Sequence, residues 1–192
     1  MSKERVLVVG NGMVGHKLIE SLLQTSHSDQ LDLATFSEEP RLAYDRVQLS
    51  SYFNGATAED LSLTDENFYT ENNVSFLLND KVVSIDVDKQ HVVTASGKTE
   101  EYDKLVLATG SFPFVPPIPG KDQPHCLVYR TVEDLEAITA SAKESKVGVV
   151  VGGGLLGLEA ANALKCLGLK THVVEFAPRL MAVQLDEGGG NL

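Results

Sequence analysis

Two stretches of the sequence decide the fold, because each joins a short apolar run to a Gly-x-Gly-x-x-Gly turn. The first is Arg5-Val-Leu-Val-Val-Gly-Asn-Gly-Met-Val-Gly15, and the second is Lys146-Val-Gly-Val-Val-Val-Gly-Gly-Gly-Leu-Leu-Gly157. Apolar residues at steps of three or four follow each turn, which predicts a helix. A further strand-like run follows each helix, at residues 31–36 and 171–176. The sequence therefore predicts two βαβ units with parallel strands, and hence an α/β fold.

Length and composition limit the classes of protein. The 192 residues suffice for one large or two small domains, and 43% hydrophobic residues suffice for a packed core. A net charge of −11 without a basic run argues against a nucleic-acid partner. The apolar runs are too short to span a membrane, and the N-terminus has no apolar signal segment. We therefore expect a soluble, cytoplasmic protein.

Between the two glycine turns the sequence pattern changes. Alternating apolar residues at 81–88 and a short run at 91–94 predict a small antiparallel meander inserted in the parallel fold. A proline-rich stretch at 112–120 reads as an extended connector, and Thr131-Val-Glu-Asp134 has the pattern of a helix start. We expect a first domain over residues 1–118 and a second over 119–192. Because only one crossover follows in the second, we expect it to be the start of a longer, truncated domain.

The first turn has the spacing of a dinucleotide-binding site. Gly10 permits the tight turn, Gly12 lets a pyrophosphate approach the backbone, and Gly15 lets the helix pack closely on the strand. Glu38 and Glu39 follow Gly15 by 23 and 24 residues, near the ~20 expected of a carboxylate that binds ribose. The alternatives are a plain turn and an acidic loop, and we favour the dinucleotide site.

The second turn predicts a site for a nicotinamide nucleotide. Gly152, Gly154 and Gly157 are followed 18 residues later by Glu175, whose carboxylate can bind a ribose 2′-hydroxyl and would repel a 2′-phosphate. This favours NADH, although Arg179 nearby keeps NADPH open. Two dinucleotide-binding sites in one chain indicate two different nucleotides. The simplest pair is FAD and NADH, with hydride passed from nicotinamide to flavin. Two NAD sites, or one site and a decayed repeat, remain as alternatives.

Several sequence motifs resemble those of a known family. They are Gly10-Asn-Gly-Met-Val-Gly15, Tyr44-Asp-Arg46, Leu107-Ala-Thr-Gly-Ser111, Tyr129-Arg-Thr-Val-Glu-Asp134 and Val151-Gly-Gly-Gly-Leu-Leu-Gly-Leu-Glu-Ala-Ala161. In this order they resemble the FAD-dependent pyridine nucleotide-disulfide oxidoreductases, which have two dinucleotide-binding domains. Residues 38–53 and 168–181 are similar to the N-terminal part of the large subunits of assimilatory NAD(P)H nitrite reductases. The resemblance implies an FAD/NAD(P)-binding three-layer Rossmann-like fold, with FAD bound by the first domain and NAD(P)H by the second.

The resemblance also implies roles for individual residues. Glu159 matches a glutamate that faces the nicotinamide pocket, and we take it as the catalytic candidate. In related ferredoxin reductases a lysine pairs with that glutamate, but this chain has Ser51 there, so Glu159 is expected to have a different partner. The implied FAD contacts are Gly10, Gly12, Gly15, Glu38 or Glu39, Arg46, Val82 or Val83, Ala108, Thr109, Gly110 and Arg130. Those implied for NADH are Gly152, Gly154, Gly157 and Glu175.

Missing cysteine motifs narrow the reaction. Neither a Cys-x-x-x-x-Cys after the second strand nor a Cys-x-x-Cys is present, so electrons should leave the flavin for another redox centre. Nitrite reduction needs sirohaem and a cysteine-bound iron–sulfur cluster, which we expect only in a remainder of the protein outside this chain. Cys126 and Cys166 are expected to be buried thiols, and His16 a partly exposed helix residue. We assign no metal to this chain.

The favoured hypothesis is an FAD-dependent oxidoreductase module that takes hydride from NAD(P)H, the electron-input part of a nitrite reductase in nitrate assimilation. One alternative is a rubredoxin or ferredoxin reductase that passes electrons to a small iron protein. Another is a non-catalytic nucleotide-binding fragment. A homo-oligomer and a small-subunit partner both stay open, and the sequence offers no membrane or nucleic-acid partner.

Overall fold

The computed structural model describes residues Lys3–Gly190, which form two compact units. The first unit contains the described residues up to Asp45 together with Leu61–Ser111. The second contains Arg46–Asp60 together with the described residues from Phe112 onward. The segment Arg46–Asp60 thus packs with residues far from it in sequence. The division of the chain at residue 118 into cofactor-binding domains stays a prediction.

A parallel sheet of four strands forms the centre of the first unit. Its strands are β1 (Glu4–Val9), β2 (Leu31–Phe36), β3 (Ser75–Leu77) and β7 (Lys104–Leu107), in the order β3-β2-β1-β7. Helix α1 (Met13–Leu23) connects β1 to β2 after the first glycine turn, and a short 3-10 helix (Ser28–Gln30) precedes β2. Helix α2 (Glu66–Glu71) precedes β3. The predicted βαβ unit is confirmed, with β1 and β2 parallel along their whole length.

The predicted antiparallel meander is also present in the first unit. It consists of β4 (Val82–Asp86), β5 (His91–Thr94) and β6 (Thr99–Glu101), in that order. Its central strand is anchored by the fully buried Val92. The outer strand β4 carries a bulge between Val82 and Ser84, and the side chains of Val83, Ile85 and Val87 are exposed.

Buried apolar side chains point to both faces of β1, so this sheet is covered on both sides. Successive side chains of a strand point to opposite faces, so Val6 and Val8 lie on one face and Leu7 on the other. On one face, Val6 and Val8 pack with residues that include Ile19 of α1 and Tyr69 of α2. On the other, Leu7 packs in a second cluster, which consists of Leu7, Ala34, Phe36, Val92 and Tyr102. The first unit therefore has the three layers that the sequence predicts.

The second unit has a two-stranded parallel sheet. Its strands β8 (Val147–Val151) and β9 (Lys170–Val174) are connected by α4 (Leu155–Cys166) after the second glycine turn. The unit also contains a 3-10 helix (Arg46–Asn54), α3 (Val132–Lys143) and α5 (Glu187–Gly190). Helix α3 begins with the predicted capping box, in which Thr131 and Asp134 each accept a hydrogen bond from the other's backbone N–H.

Only one face of the second sheet is covered within its unit. A Cβ on Gly148 would touch Leu164 and Leu169, which shows that this face of β8 lies against α4 and the loop after it. The alternate residues Val147, Val149 and Val151 are more than half exposed. Within Lys3–Gly190, no helix combines the length and apolar character needed to cross a membrane.

Candidate functional site: two glycine turns

The first glycine turn joins the end of β1 to the start of α1 in a closely packed arrangement. Gly10 has φ of +108°, and its N–H donates to the carbonyl of Phe36 at 2.8 Å. A Cβ on Gly10 would collide with the carbonyl group of Ala108, and one on Gly15 would collide with the carbonyl oxygen of Gly10. Glycine at both positions therefore allows the backbones of β1, α1 and the segment after β7 to approach each other.

Gly12 differs from the other two glycines, because a Cβ there would meet no atom within 4 Å. Gly12 is the N-cap of α1, and as a glycine it has no side chain to cap the first N–H groups of the helix. The first N–H groups of a helix have no partner within the helix and favour an anion. The turn thus has open space directly before a helix N-terminus, which fits the approach of a pyrophosphate.

A chain of three buried polar side chains lies beneath this turn. Tyr69 donates from its hydroxyl to Oδ1 of Asn11 at 2.8 Å, and His16 Nδ1 lies 3.0 Å from the same hydroxyl. His16 is only 8% exposed, so the expectation of a partly exposed helix residue is wrong. The ring of Phe68 packs edge-on against the imidazole, which accounts for this burial. Burial lowers the pKa of His16 and raises that of Tyr69 to about 12.

The two acids predicted to bind ribose lie just after β2. Glu38 forms an ion pair with Lys81 at 2.8 Å, and Glu39 accepts a hydrogen bond from the Tyr44 hydroxyl at 2.8 Å. Each turn makes one hydrogen bond to the last residue of the neighbouring strand, and these bonds can be used to align the two turns. In this alignment the counterpart of Glu175 is neither Glu38 nor Glu39. Gly10 donates to Phe36 as Gly152 donates to Val174, so Ser37 is the counterpart of Glu175. Residue counting missed Ser37, since the spacing differs between the two units.

The remaining residues predicted to contact FAD in the first unit lie in β4 and directly after β7. Ala108 donates to the Val9 carbonyl at 2.8 Å beside the first turn, and Thr109 and Gly110 follow it with exposed surfaces. Val82 pairs with Thr94 of β5, whereas the side chain of Val83 is 59% exposed. Their roles as cofactor contacts stay predictions.

The second glycine turn repeats the backbone geometry of the first. Gly152 has φ of +115°, and its N–H donates to the Val174 carbonyl at 2.8 Å. A Cβ on Gly157 would collide with the Gly152 carbonyl oxygen, as in the first turn. Gly154 is the N-cap of α4, and a Cβ there would again meet open space. This turn has the same room for a phosphate before a helix N-terminus.

Glu175 holds this turn through both of its carboxylate oxygens. One accepts a hydrogen bond from Gly153 N–H at 2.5 Å, and the other accepts from Ala177 N–H at 2.7 Å. The bond from Ala177 N–H, and after it the bond from Gly153 N–H, lower the pKa of Glu175. Each oxygen keeps a second lone pair, so the carboxylate can still accept a bond from a ribose hydroxyl. The Arg179 guanidinium lies 3.4 Å from the carbonyls of Ala182 and Leu185.

The second unit also brings together the two arginines predicted to lie near the flavin. Nη1 of Arg46, in the 3-10 helix, donates to the Arg130 carbonyl at 3.1 Å. The backbone N–H groups of Arg130 and Thr131 donate to Asp134 at 2.9 and 2.8 Å. Arg46 thereby holds the start of α3, although the two residues are 84 positions apart in sequence.

Glu159, the predicted catalytic residue, lies on α4 near Tyr129. Burial, and then the charge of Glu159, raise the pKa of Tyr129 to about 12. The Tyr129 ring stacks on Phe53 with a centroid distance of 6.2 Å. The Tyr129 hydroxyl oxygen is buried and has no hydrogen-bond partner among the described residues.

The two cysteines differ from expectation. Cys126 and Cys166 are both exposed, so their assignment as buried thiols is wrong. Cys126 lies in the loop before α3, and Cys166 lies at the end of α4, beside Asn54. In the part of the chain that the structure describes, no group of three or more His, Cys, Asp or Glu side chains could hold a metal ion.

Two glycine turns, each between a parallel strand and a helix, define this chain as a dinucleotide-binding α/β protein. Residues 4–190 match the family described as pyridine nucleotide-disulphide oxidoreductase. The chain therefore belongs to that family. The match confirms the predicted family and, at the level of the family, the predicted class of enzyme and its cofactors, FAD and NAD(P)H.

Individual relatives refine this comparison. The chain is 55% identical to the NADH nitrite reductase large subunit of Escherichia coli, covering 99% of this chain and 22% of that protein. It is 53% identical to the NAD(P)H nitrite reductase large subunit of Klebsiella oxytoca, covering 98% of this chain and 20% of that protein. The chain thus spans about a fifth of these curated relatives.

A solved structure confirms the predicted fold class. The ferredoxin reductase for the CYP199A2 system from Rhodopseudomonas palustris superimposes with a TM-score of 0.88 and 32% identity. The likeness covers 98% of this chain and 46% of that one.

Proposed function

We propose that this chain is the part of a nitrite reductase large subunit that takes hydride from NAD(P)H onto FAD. The observation that carries the proposal is the pair of glycine turns with one shared backbone geometry. The 55% identity to a NADH nitrite reductase large subunit supports this choice among members of the family. When bound, FAD accepts a hydride from the nicotinamide and passes electrons onward.

The first turn is assigned to FAD. The open space at Gly12 and the N–H groups of α1 would receive the pyrophosphate, since both lie at the carboxyl end of β1. Glu38 and Glu39 are one and two residues past the counterpart of Glu175, so either can be the ribose ligand. In the first unit the proposed FAD contacts are Gly10, Gly12, Gly15, Glu38, Glu39, Val82, Val83, Ala108, Thr109 and Gly110. We assign FAD binding to residues 1–118 and NAD(P)H binding to the domain that begins at residue 119.

The second turn is assigned to NADH, with Gly152, Gly154 and Gly157 around the pyrophosphate. Glu175 stays charged because its hydrogen bonds lower its pKa, and a negative charge repels the 2′-phosphate of NADPH. The Arg179 guanidinium is turned toward the backbone carbonyls of its own loop. Both observations favour NADH over NADPH.

Arg46, Arg130 and Glu159 are assigned to the reaction centre. Arg46 holds the backbone of Arg130 through its hydrogen bond to the Arg130 carbonyl, and we assign the Arg130 guanidinium to the ligand. Hydride transfer needs positioning more than proton transfer, so these residues would orient the reactants and balance their charge. Ser51 leaves Glu159 without the lysine partner of related ferredoxin reductases, and the nearby Tyr129, whose pKa is raised by burial and then by the Glu159 charge, forms no hydrogen bond to it.

Electrons would then leave the flavin for another redox centre. For a nitrite reductase that centre is sirohaem with an iron–sulfur cluster, held in a part of the protein outside this chain. The 32% identity to a ferredoxin reductase favours, as a second candidate, a small iron protein as acceptor.

The proposal is tested by anaerobic titration of the FAD-loaded chain with NADH, followed by absorbance. We expect one equivalent of NADH to bleach the flavin, and NADPH to need a much higher concentration. A flavin that binds and stays oxidised, or a chain that does not bind FAD, would contradict the proposal and support the non-catalytic fragment. Adding ferredoxin or rubredoxin to the reduced chain distinguishes the acceptors, since only a reductase for a small iron protein would reoxidise rapidly.

A further inference from the structure

We propose that the buried chain His16–Tyr69–Asn11 positions the middle residue of the first glycine turn and thereby tightens the binding of FAD phosphates there. The inference rests on the proposed assignment of FAD to this turn. It gives a role to three polar side chains that the predicted cofactor contacts leave out.

The geometry links the turn to two helices. Asn11 lies between Gly10 and Gly12, His16 lies in the first turns of α1, and Tyr69 lies in α2. The hydroxyl of Tyr69 is 2.8 Å from Asn11 Oδ1 and 3.0 Å from His16 Nδ1, so it joins the other two. Tyr69 is fully buried, and Asn11 is 3% exposed. Neither bond competes with bulk water, which strengthens both bonds relative to exposed ones.

The direction of the hydrogen bonds follows from the number of protons. Tyr69 has one hydroxyl proton, which it donates to Asn11, so it accepts a bond from His16 Nδ1–H. Nδ1 carries a proton in the charged imidazole as well as in this neutral tautomer. The chain therefore does not depend on the charge of His16.

The middle residue of the second turn is also held by a hydrogen bond. Gly153 occupies the place of Asn11, and its N–H is held by the Glu175 carboxylate at 2.5 Å. The counterpart of Glu175 in the first turn is Ser37, whose short side chain accepts a bond from Glu39 N–H at 3.1 Å instead. The first turn thus lacks the carboxylate that holds the second turn. Tyr69 supplies a different support, through the side chain of Asn11 rather than through the backbone.

Packing alone does not explain the hydroxyl of Tyr69. Its ring lies 5.2 Å from Phe68 and 5.1 Å from Phe76, measured between centroids, and a phenylalanine would keep these contacts. The substitution Tyr69→Phe therefore isolates the two hydrogen bonds. Asn11→Ala removes the other end of the chain without a positive φ to accommodate.

The test compares Tyr69→Phe, Asn11→Ala and the double variant in the full chain. We expect each single variant to raise the FAD dissociation constant about threefold to tenfold, as the loss of a buried hydrogen bond does. The double variant should be no weaker than the weaker single variant, since the two residues act as a unit. Tyr102→Phe is the control, because Tyr102 is a buried tyrosine of the other core cluster and should leave FAD affinity unchanged.

Amide hydrogen exchange of the peptide that contains residues 9–14 gives a readout that needs no flavin. We expect faster exchange there in Tyr69→Phe than in the wild type or Tyr102→Phe. An unchanged FAD affinity in Tyr69→Phe overturns the inference, even if its melting temperature falls. If the wild-type chain itself does not bind FAD, the proposed function fails, and exchange alone decides: an unchanged rate overturns the positioning role, and a faster one supports it.

Discussion

The two glycine turns have the same local geometry in very different surroundings. Gly10 and Gly152 both have a positive φ and both donate to the last residue of the neighbouring strand. The strand before Gly10 has neighbours on both sides, whereas the strand before Gly152 has one. The difference is visible at the last valine of each strand, since Val9 is 8% exposed and Val151 is 65% exposed. Three glycines and the neighbouring strand therefore form the turn in both units, although the sheet has four strands in one and two in the other.

The middle residue of each turn shows a second difference. Asn11 is held by a buried tyrosine, and Gly153 by a carboxylate that can also bind ribose. In the second turn one residue combines support of the turn with a capacity to select the cofactor. In the first turn Tyr69 gives the support, and Glu38 or Glu39 is the proposed ribose ligand.

The largest difference is expected between Gly10→Ala and Gly152→Ala. Both substitutions place a Cβ at a positive φ, which costs about 1–2 kcal/mol. At Gly10 the Cβ would also collide with the Ala108 carbonyl, whereas at Gly152 it meets no atom within 4 Å. We expect Gly10→Ala to lower the free energy of unfolding by about 3 kcal/mol or more, measured by urea denaturation with hydrogen exchange of β1 and β8. Equal losses would contradict the role of Ala108.

Val9→Thr and Val151→Thr test the difference in burial. A hydroxyl at residue 9 would be buried next to the turn and should destabilise the first unit by about 1–3 kcal/mol. At residue 151 the hydroxyl would face water in this chain, so we expect a change within about 0.5 kcal/mol. Thermal unfolding of both variants measures the contrast. A large loss in Val151→Thr would show that this face of β8 is covered in solution.

Glu175→Ala and Ser37→Ala test the two counterparts after the strands. Removing the carboxylate frees Gly153 N–H and removes the candidate ribose ligand, so we expect NADH to bind about tenfold more weakly or worse. Ser37→Ala removes only the bond to Glu39 N–H and should change NADH affinity little. Isothermal titration calorimetry with NADH gives both values. Unchanged affinity in Glu175→Ala would contradict the ribose assignment.

The smallest effect is expected from pH through His16. Burial, the largest cause, and the Lys17 charge lower its pKa from the ordinary value of 6.5, while the Glu20 charge opposes them. The unfolded chain therefore binds a proton more readily, and the free energy of unfolding should fall as pH drops below about 6.5. Carboxylates with lowered pKa values, such as Asp80, contribute only nearer pH 4. In His16→Gln we expect the slope between pH 7 and 5 to flatten. An equal slope in both proteins would exclude His16 as its cause.

The sequence predicts the parts of this molecule that depend on neighbours in the chain. The glycine spacing predicts both turns, and the strand at Leu31–Phe36 and the capping box at Thr131 are found where the pattern places them. These features depend on backbone sterics and on bonds over three or four residues. Side-chain environments were harder to predict, as His16 and the two exposed cysteines illustrate.

The parts that sequence reasoning missed depend on contacts between distant segments. Tyr69 and Asn11 are 58 positions apart, and no periodic pattern connects them. Ser37 was missed because counting from the third glycine assumes loops of equal length in both units. Its signal is the match of Phe36 with Val174, which requires the hydrogen bonds of each turn. Two adjacent aromatic residues, Phe68 and Tyr69, in the otherwise polar helix α2 are a sequence hint of a buried helix face there.

The substitutions Gly12→Val and Gly154→Val test whether the first turn binds FAD and the second binds NADH. Both residues have φ values that any residue adopts, and each valine would occupy the open space before its helix. Calorimetric titration of each variant with FAD and with NADH then measures four affinities. We expect Gly12→Val to lose FAD and keep NADH, and Gly154→Val to keep FAD and lose NADH. The reverse pattern, or the loss of neither cofactor, would contradict this assignment.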